Sequence, residues 1–177
     1  MITQSALLEK VAAAKDKLIA WWEHAEMETP CLLLHGPNPG VEAPKVTEDL
    51  EQYWWDIDWA LDYAMRRIES RAYYGVALPF HWPDWGASTF AGVLGARMQM
   101  VGYETFWAYP ICKTLEDVLD VEVNPCNRFY RTVMEMTRRS VALSYNHHFV
   151  SCFPMVGIGD VLAGLYGTEE LMLAMIE

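Results

Sequence analysis

The sequence predicts an α/β fold with parallel strands, in a two-layer or barrel arrangement. Three observations point there. Two long stretches repeat apolar residues at helical spacing, residues 47–71 and 127–145. Short apolar runs of strand length fall between the helices, at residues 31–35, 73–80 and 148–153. The resulting order is helix, strand, long helix, strand, excursion, long helix, strand, helix. Strands that alternate with long helices pair in parallel, because a parallel pair needs a long crossover.

Each element has its own local signal. Residues 5–27 read as an amphipathic helix carrying Leu7, Leu8, Val11, Leu18, Ile19 and Trp22, with Ser5 as its N-cap. Cys31-Leu-Leu-Leu-His35 suits a buried strand, and Gly36-Pro-Asn-Pro-Gly40 is turn chemistry. In the second helix Leu50, Trp54, Ile57, Leu61, Ala64 and Ile68 are spaced by threes and fours. His81-Trp-Pro-Asp-Trp-Gly86 reads as a loop, since Pro83 cannot donate to a sheet and disfavours helix at Trp82. Residues 87–94 form a short helix ended by Gly95. Residues 97–111 give a hairpin or two short strands. Thr114-Leu-Glu-Asp117 resembles a capping box that opens one helical turn. The third long helix places Phe129, Val133, Met136 and Leu143 on or near one face. After the strand at 148–153 comes a loop to Gly159, then a short helix to Leu165 with Gly167 as its C-cap. Thr168-Glu-Glu caps a last helix that runs into Glu177.

Composition narrows the function. The 177 residues carry 13 Lys+Arg against 24 Asp+Glu, a formal net charge of −11. This balance argues against a nucleic-acid binder, which shows a basic patch, and against docking on an anionic membrane. With 53% hydrophobic residues the chain is not disordered. Eight Trp, nine Tyr and six Phe imply a heavy core, or a core plus a surface that meets another chain. No run of about 18 apolar residues suggests a membrane span, and Met1-Ile-Thr-Gln-Ser-Ala-Leu-Leu-Glu-Lys10 lacks the form of a secretory signal. Cys31, Cys112, Cys126 and Cys152 lack metal-ligand spacing, so the expectation is reduced thiols in a cytoplasmic protein with no metal bound by this chain. About three core strands would leave sheet edges unpaired, and the last helix lacks a C-cap. The physical expectation is one partial domain over residues 1–177, with helix, strand and loop in 1–46 and βα units in 47–177, belonging to a larger α/β body.

The stretch Phe149-Val-Ser-Cys-Phe-Pro-Met-Val-Gly-Ile-Gly-Asp-Val-Leu-Ala-Gly-Leu-Tyr-Gly-Thr-Glu-Glu-Leu-Met-Leu-Ala-Met-Ile176 resembles the divergent members of the uroporphyrinogen decarboxylase superfamily. Trp21-Trp22, Asp49-Leu-Glu-Gln-Tyr-Trp54, Ala77-Leu-Pro-Phe-His-Trp-Pro-Asp-Trp-Gly86 and Gly92-Val-Leu-Gly95 are similar in the same order. The resemblance implies the N-terminal half of a TIM-type (β/α)8 barrel, whose ordinary length is about 250 residues. It implies one of two chemistries, corrinoid-linked methyl transfer or cofactor-free decarboxylation of a porphyrinogen. The classical decarboxylases carry Pro-x-Trp-x-Met-Arg-Gln-Ala-Gly-Arg after their first strand. Here Pro30-Cys-Leu-Leu-Leu-His-Gly-Pro-Asn-Pro-Gly40 has no Arg to clamp carboxylates, which favours methyl transfer. Corrinoid or zinc then belongs to the complete assembly. The implied partners are a second-half barrel polypeptide or a second copy, and a corrinoid protein. A non-catalytic half-barrel that works by association is the remaining alternative.

Barrel sites sit at the C-terminal ends of strands. His81, Asp84 and Asp160 are therefore the candidate acid–base residues. His35, Trp82, Trp85, Gly157 and Gly159 are the candidate substrate contacts. An ordinary structural reading stands beside each. Asp84 and Asp160 suit turn and helix caps, and the tryptophans suit a seal over apolar surface. The glycines fail the dinucleotide pattern, because Leu162 occupies its last position. His147 and His148 would point to opposite faces of a strand, and they suit the C-terminal end of the preceding helix better.

Overall fold

The computed structural model describes residues 4–176, with side chains from Leu7 onward. The element order is α1 (Gln4–Trp22), β1 (Leu33–Pro37), α2 (Leu50–Trp55), α3 (Ile57–Glu69), β2 (Arg71–Gly75), β3 (Phe80–His81), α4 (Thr89–Val93), β4 (Arg97–Met100), β5 (Phe106–Tyr109), a 3-10 turn (Glu116–Asp120), α5 (Arg128–Leu143), β6 (Phe149–Val150), α6 (Ile158–Tyr166) and α7 (Thr168–Ala174). The described strands form three two-stranded sheets, and no barrel closes. The chain is mixed α/β, as expected, but only β3 and β6 pair in parallel; β1 with β2 and β4 with β5 are antiparallel.

The chain divides into two compact units. The first holds Met1–Val46, Asp58–His81 and Arg139–Ser151; the second holds Thr47–Ile57, Trp82–Arg138 and Cys152–Glu177.

In the first unit β1 lies against β2 with Leu33 opposite Gly75 and Pro37 opposite Arg71. Asn38 explains the antiparallel order. Its backbone N–H donates to Ser70 O at 2.8 Å, and its side-chain amide donates to Glu69 O at 2.9 Å. The end of β1 is thereby tied to the start of β2. The expected buried strand at 31–35 is corrected too: Leu32, Leu33 and Leu34 are exposed. On α1, Leu7 and Ala14 are buried, while Leu8, Leu18, Ile19 and Trp22 are exposed. Val11, Leu18, Ile19 and Trp22 face Leu78 and Phe149 across a cavity of about 640 Å³. The helix starts at Gln4, so Ser5 lies within it; the Ser5 side chain falls outside the described residues.

Gly75 carries the sharpest backbone constraint in this unit. Its φ is +63°, and a Cβ there would meet Leu32 O at 2.2 Å. The same carbonyl accepts from Val76 N at 2.9 Å. Gly75→Ala is expected to destabilise the chain by at least about 2 kcal/mol, from left-handed strain plus loss of that bond. Gly40 also has a positive φ (+82°) but open space around it, so Gly40→Ala should cost only about 1 kcal/mol. Urea unfolding of the pair separates the two terms; equal midpoints would refute the clash.

The single helix expected over residues 47–71 is two helices. Asp56 is extended, at φ −84° and ψ 97°, while its N–H still donates to Gln52 O. Aspartate is a weak helix former whose side chain competes for nearby backbone groups. The α2 start is well capped, with Asp49 Oδ1 accepting from Glu51 N and Gln52 N.

The second unit is built on an aromatic cluster. Phe106 packs edge-on against Trp54, Trp55 and Phe129, with ring centroids 4.9, 5.4 and 5.3 Å away. A smaller apolar group joins Ala91, Ala96, Cys112 and Leu165. The hairpin expected over 97–111 is β4 and β5. The capping box is present: Asp117 Oδ2 accepts from Thr114 N and Lys113 N, and Thr114 Oγ1 accepts from Asp117 N. Gly95 and Gly167 both take positive φ at helix ends. Two expectations at the C-terminal end are corrected. Gly167, not Thr168, is the N-cap of α7, and α7 closes at Ala174 with Met175 as its C-cap instead of running on.

Candidate functional site

The first unit gathers four titratable side chains and one serine into a connected line. His81 ends β3, whose neighbour β6 holds it through Ser151 N donating to His81 O at 3.0 Å. Ser140 sits in the last turns of α5 and is fully buried. Beyond the helix, Asn146 adopts φ 55°, a left-handed turn that asparagine tolerates well. The N–H groups of His147 and His148 then both donate to Ser144 O. This turn folds His148 back beside Ser140. Glu69 is the last residue of α3.

The distances are short. His81 Nδ1 lies 2.7 Å from Ser140 Oγ, and Ser140 Oγ lies 3.1 Å from His148 Nε2. His148 Nδ1 lies 2.9 Å from His147 Nδ1. His147 Nε2 faces Glu69 Oε1 at 3.7 Å, an ion-pair separation. His148 is 5% exposed. Among the described residues, no buried side-chain nitrogen or oxygen lacks a partner.

Burial dominates the electrostatics. It pushes His81 down to about 4, helped by the adjacent His148. It pushes His148 down to about 4 as well, helped by His147, while a hydrogen bond to the Ser140 backbone acts the other way. Both rings are neutral at pH 7. Ser140 has no solvent access, so two flanking imidazoles do not make it a nucleophile. It is a bridge between them.

The remaining candidates fall into two groups. His35 is exposed on β1, opposite Tyr73. In the second unit, Asp84 Oδ1 accepts from Gly86 N at 2.7 Å, a turn-forming role. Trp85 is not a surface wall: it is 3% exposed, and its indole N–H donates to Trp54 O at 3.0 Å. Trp82 is half-exposed. Gly157 is the N-cap of α6, and Asp160, exposed, lies in its first turn with Gly159 beside it. Sequence reasoning singled out His81 but missed Ser140 and Glu69. The signal for Ser140 was present: it continues the Phe129, Val133, Met136 face by four residues, a polar group at a core position. Nothing local marks Glu69.

The thiols are free, with Cys112 buried and Cys126 and Cys152 exposed. Among the described residues no group of three His, Cys, Asp or Glu side chains is placed to hold a metal ion. No described helix is long and apolar enough to cross a membrane. No family model, curated protein or solved structure matches the chain.

Proposed function

We propose that this chain is the N-terminal half of a uroporphyrinogen-decarboxylase-like barrel and contributes a proton acceptor, His81, to corrinoid-linked methyl transfer onto a thiol. The observation that carries the reading is the position and state of His81. It ends a strand that pairs in parallel, where barrel enzymes place their working groups. Its imidazole is neutral and bridged to a buried hydroxyl.

A buried neutral imidazole suits a thiol better than a porphyrinogen carboxylate. Methyl transfer needs the acceptor thiol to lose its proton, because the thiolate is the nucleophile. An imidazole depressed by burial holds a proton poorly by itself. It holds one well once an anion forms beside it, since the pair offsets the desolvation. His81 is thus set to take the thiol proton as the thiolate forms. Decarboxylation asks instead for a proton donor at the carbanion, and a ring that is neutral throughout the physiological range is a poor reservoir.

The partner in this reading is a second-half barrel polypeptide, with a corrinoid protein as methyl donor. The exposed Leu32, Leu33 and Leu34 and the apolar side of α1 support association. They also support the second reading, a non-catalytic half-barrel that works through its partner. The test is methyl transfer from methylcobalamin to a small alkyl thiol, with the chain and a second-half polypeptide combined. We expect transfer, and a 100- to 10,000-fold loss of kcat in His81→Gln with little change in KM, the usual weight of a general base. Release of carbon dioxide from uroporphyrinogen without methyl transfer would replace this reading with the decarboxylase. Neither activity from a stable complex would leave the association reading.

A further inference from the structure

The line of side chains ending at His81 has a direction. His147 Nδ1 and His148 Nδ1 are 2.9 Å apart, so that link holds one proton, on one ring or the other. Both imidazoles that meet Ser140 are neutral, so each carries a single N–H. With a single N–H on His147 as well, and with Ser140 both donating and accepting, two arrangements satisfy every link, one the reverse of the other. In the first, His147 presents Nε2–H to Glu69. His148 then donates from Nδ1 to His147, and Ser140 donates to His148 Nε2. His81 in turn donates from Nδ1 to Ser140. In the second, every donor points the other way, and His147 turns a lone pair toward the Glu69 carboxylate. Charge decides between them. A carboxylate oxygen at 3.7 Å attracts an N–H and repels a lone pair.

We propose that Glu69, His147, His148 and Ser140 are positioning residues that fix His81 as its Nδ1–H tautomer, leaving Nε2 as the nitrogen that accepts a proton. This rests on the reading of His81 as the proton acceptor and goes beyond it. It assigns the accepting atom, and it gives a role to a carboxylate that touches no substrate. The consequence for chemistry is specific. When a thiol proton arrives at His81 Nε2, the ring becomes an imidazolium with both nitrogens protonated. Its Nδ1–H is already bonded to Ser140 Oγ, so the new charge is met by an oriented dipole instead of by a reorganising one. The thiol S–H bond breaks, its electron pair stays on sulfur, and the proton resides on Nε2; nothing else is oxidised or reduced. The burial of Ser140 and His148 keeps water from competing for the two central links.

The experiment is tautomer-resolved NMR of the ¹⁵N-labelled imidazoles at pH 7, on the full chain without substrate. Free histidine favours the Nε2–H form, so a predominant Nδ1–H signature at His81 is informative. We expect that signature in the wild type, with His148 also Nδ1–H and His147 Nε2–H. Glu69→Gln keeps the size of the side chain but can donate or accept, so it removes the bias. The Nδ1–H to Nε2–H ratio at His81 should then fall about fivefold, the weight of one carboxylate facing an N–H in a half-exposed place. Far-ultraviolet circular dichroism confirms that the variant folds; Glu69→Asp, which keeps the charge, should restore most of the ratio. An Nε2–H ring at His81 in the wild type overturns the proposal outright. So does an unchanged ratio in folded Glu69→Gln. Because the readout needs no turnover, a missing methyl-transfer activity would count against the proposed function alone.

Discussion

Phe106→Ala is expected to cost about 3–5 kcal/mol of folding stability. Phe106 is 2% exposed, the largest of the fully buried side chains. Three aromatic rings meet it edge-on, from Trp54, Trp55 and Phe129. Truncation removes the transfer free energy of the ring and leaves a cavity that rigid neighbours cannot collapse into. Edge-to-face pairs add about 0.5–1.5 kcal/mol each beyond area burial, so the upper half of the range is favoured. The neighbouring Trp107 is the internal control. It points to the other side of β5 and is 60% exposed. Trp107→Ala should change stability by no more than about 0.5 kcal/mol. Urea unfolding monitored by tryptophan fluorescence measures both. Similar losses at the two positions would mean that the cluster is not the core of this unit.

Phe106 also shows why part of the fold is legible in the sequence. In the strand residues Phe-Trp-Ala-Tyr, Phe106 is buried and Trp107 beside it is exposed, and the segment before them mirrors that length. The hairpin or pair of short strands expected over residues 97–111 therefore forms, as β4 and β5. The same holds where chemistry is local: Thr114 with Asp117, Gly95 and Gly167 each act within a few residues, and each does what its type predicts. Helix α5 is legible for a different reason, because Phe129, Val133 and Met136 repeat at one face. Leu143 does not follow them inward; it is half-exposed and is the last residue of the helix.

What failed was non-local. Trp54, Leu61 and Ile68 are buried at seven-residue intervals, so the apolar pattern runs straight through the break at Asp56. Periodicity cannot see a one-residue interruption when the apolar spacing continues across it. The antiparallel pairing of β1 and β2 depends on Asn38 reaching Glu69 and Ser70, more than thirty residues away. The site divides in the same way. His81 stands out in the sequence as a histidine after an apolar strand. Its partners come from α3, α5 and the turn after α5, and only the fold collects them. The sequence marks His147 and His148 as a helix-end pair, which explains their place but not the ring-to-ring bond that makes them part of one line.

That line should make the chain acid-sensitive in a defined window. His81 and His148 are held near 4 in the folded chain, against an ordinary value near 6.5. Well above pH 6.5 neither ring is protonated, folded or unfolded, and stability is at its full value. As pH falls from about 6.5 toward 4, the unfolded chain binds protons that the folded chain refuses, so stability drops. Below about 4 this loss levels off. The ceiling is about 3 kcal/mol per imidazole; the half-buried His81 gives less because solvent screens it. The two rings share Ser140, so their losses will not simply add. Asp117 titrates separately: backbone N–H groups of Thr114 and Lys113 hold its carboxyl below the usual range. Its contribution is present above about pH 4 and fades only below it, outside the histidine window. Thermal melts at pH 7.0, 5.5 and 4.5 should therefore show a falling midpoint before the carboxylates matter. His148→Gln can keep the bond to Ser140 without the charge, and it should remove about half of that slope. A midpoint that stays level from pH 7.0 to 4.5 would mean that both imidazoles protonate freely in the folded chain. The bridge at Ser140 would then be too open to hold His81 in one tautomer.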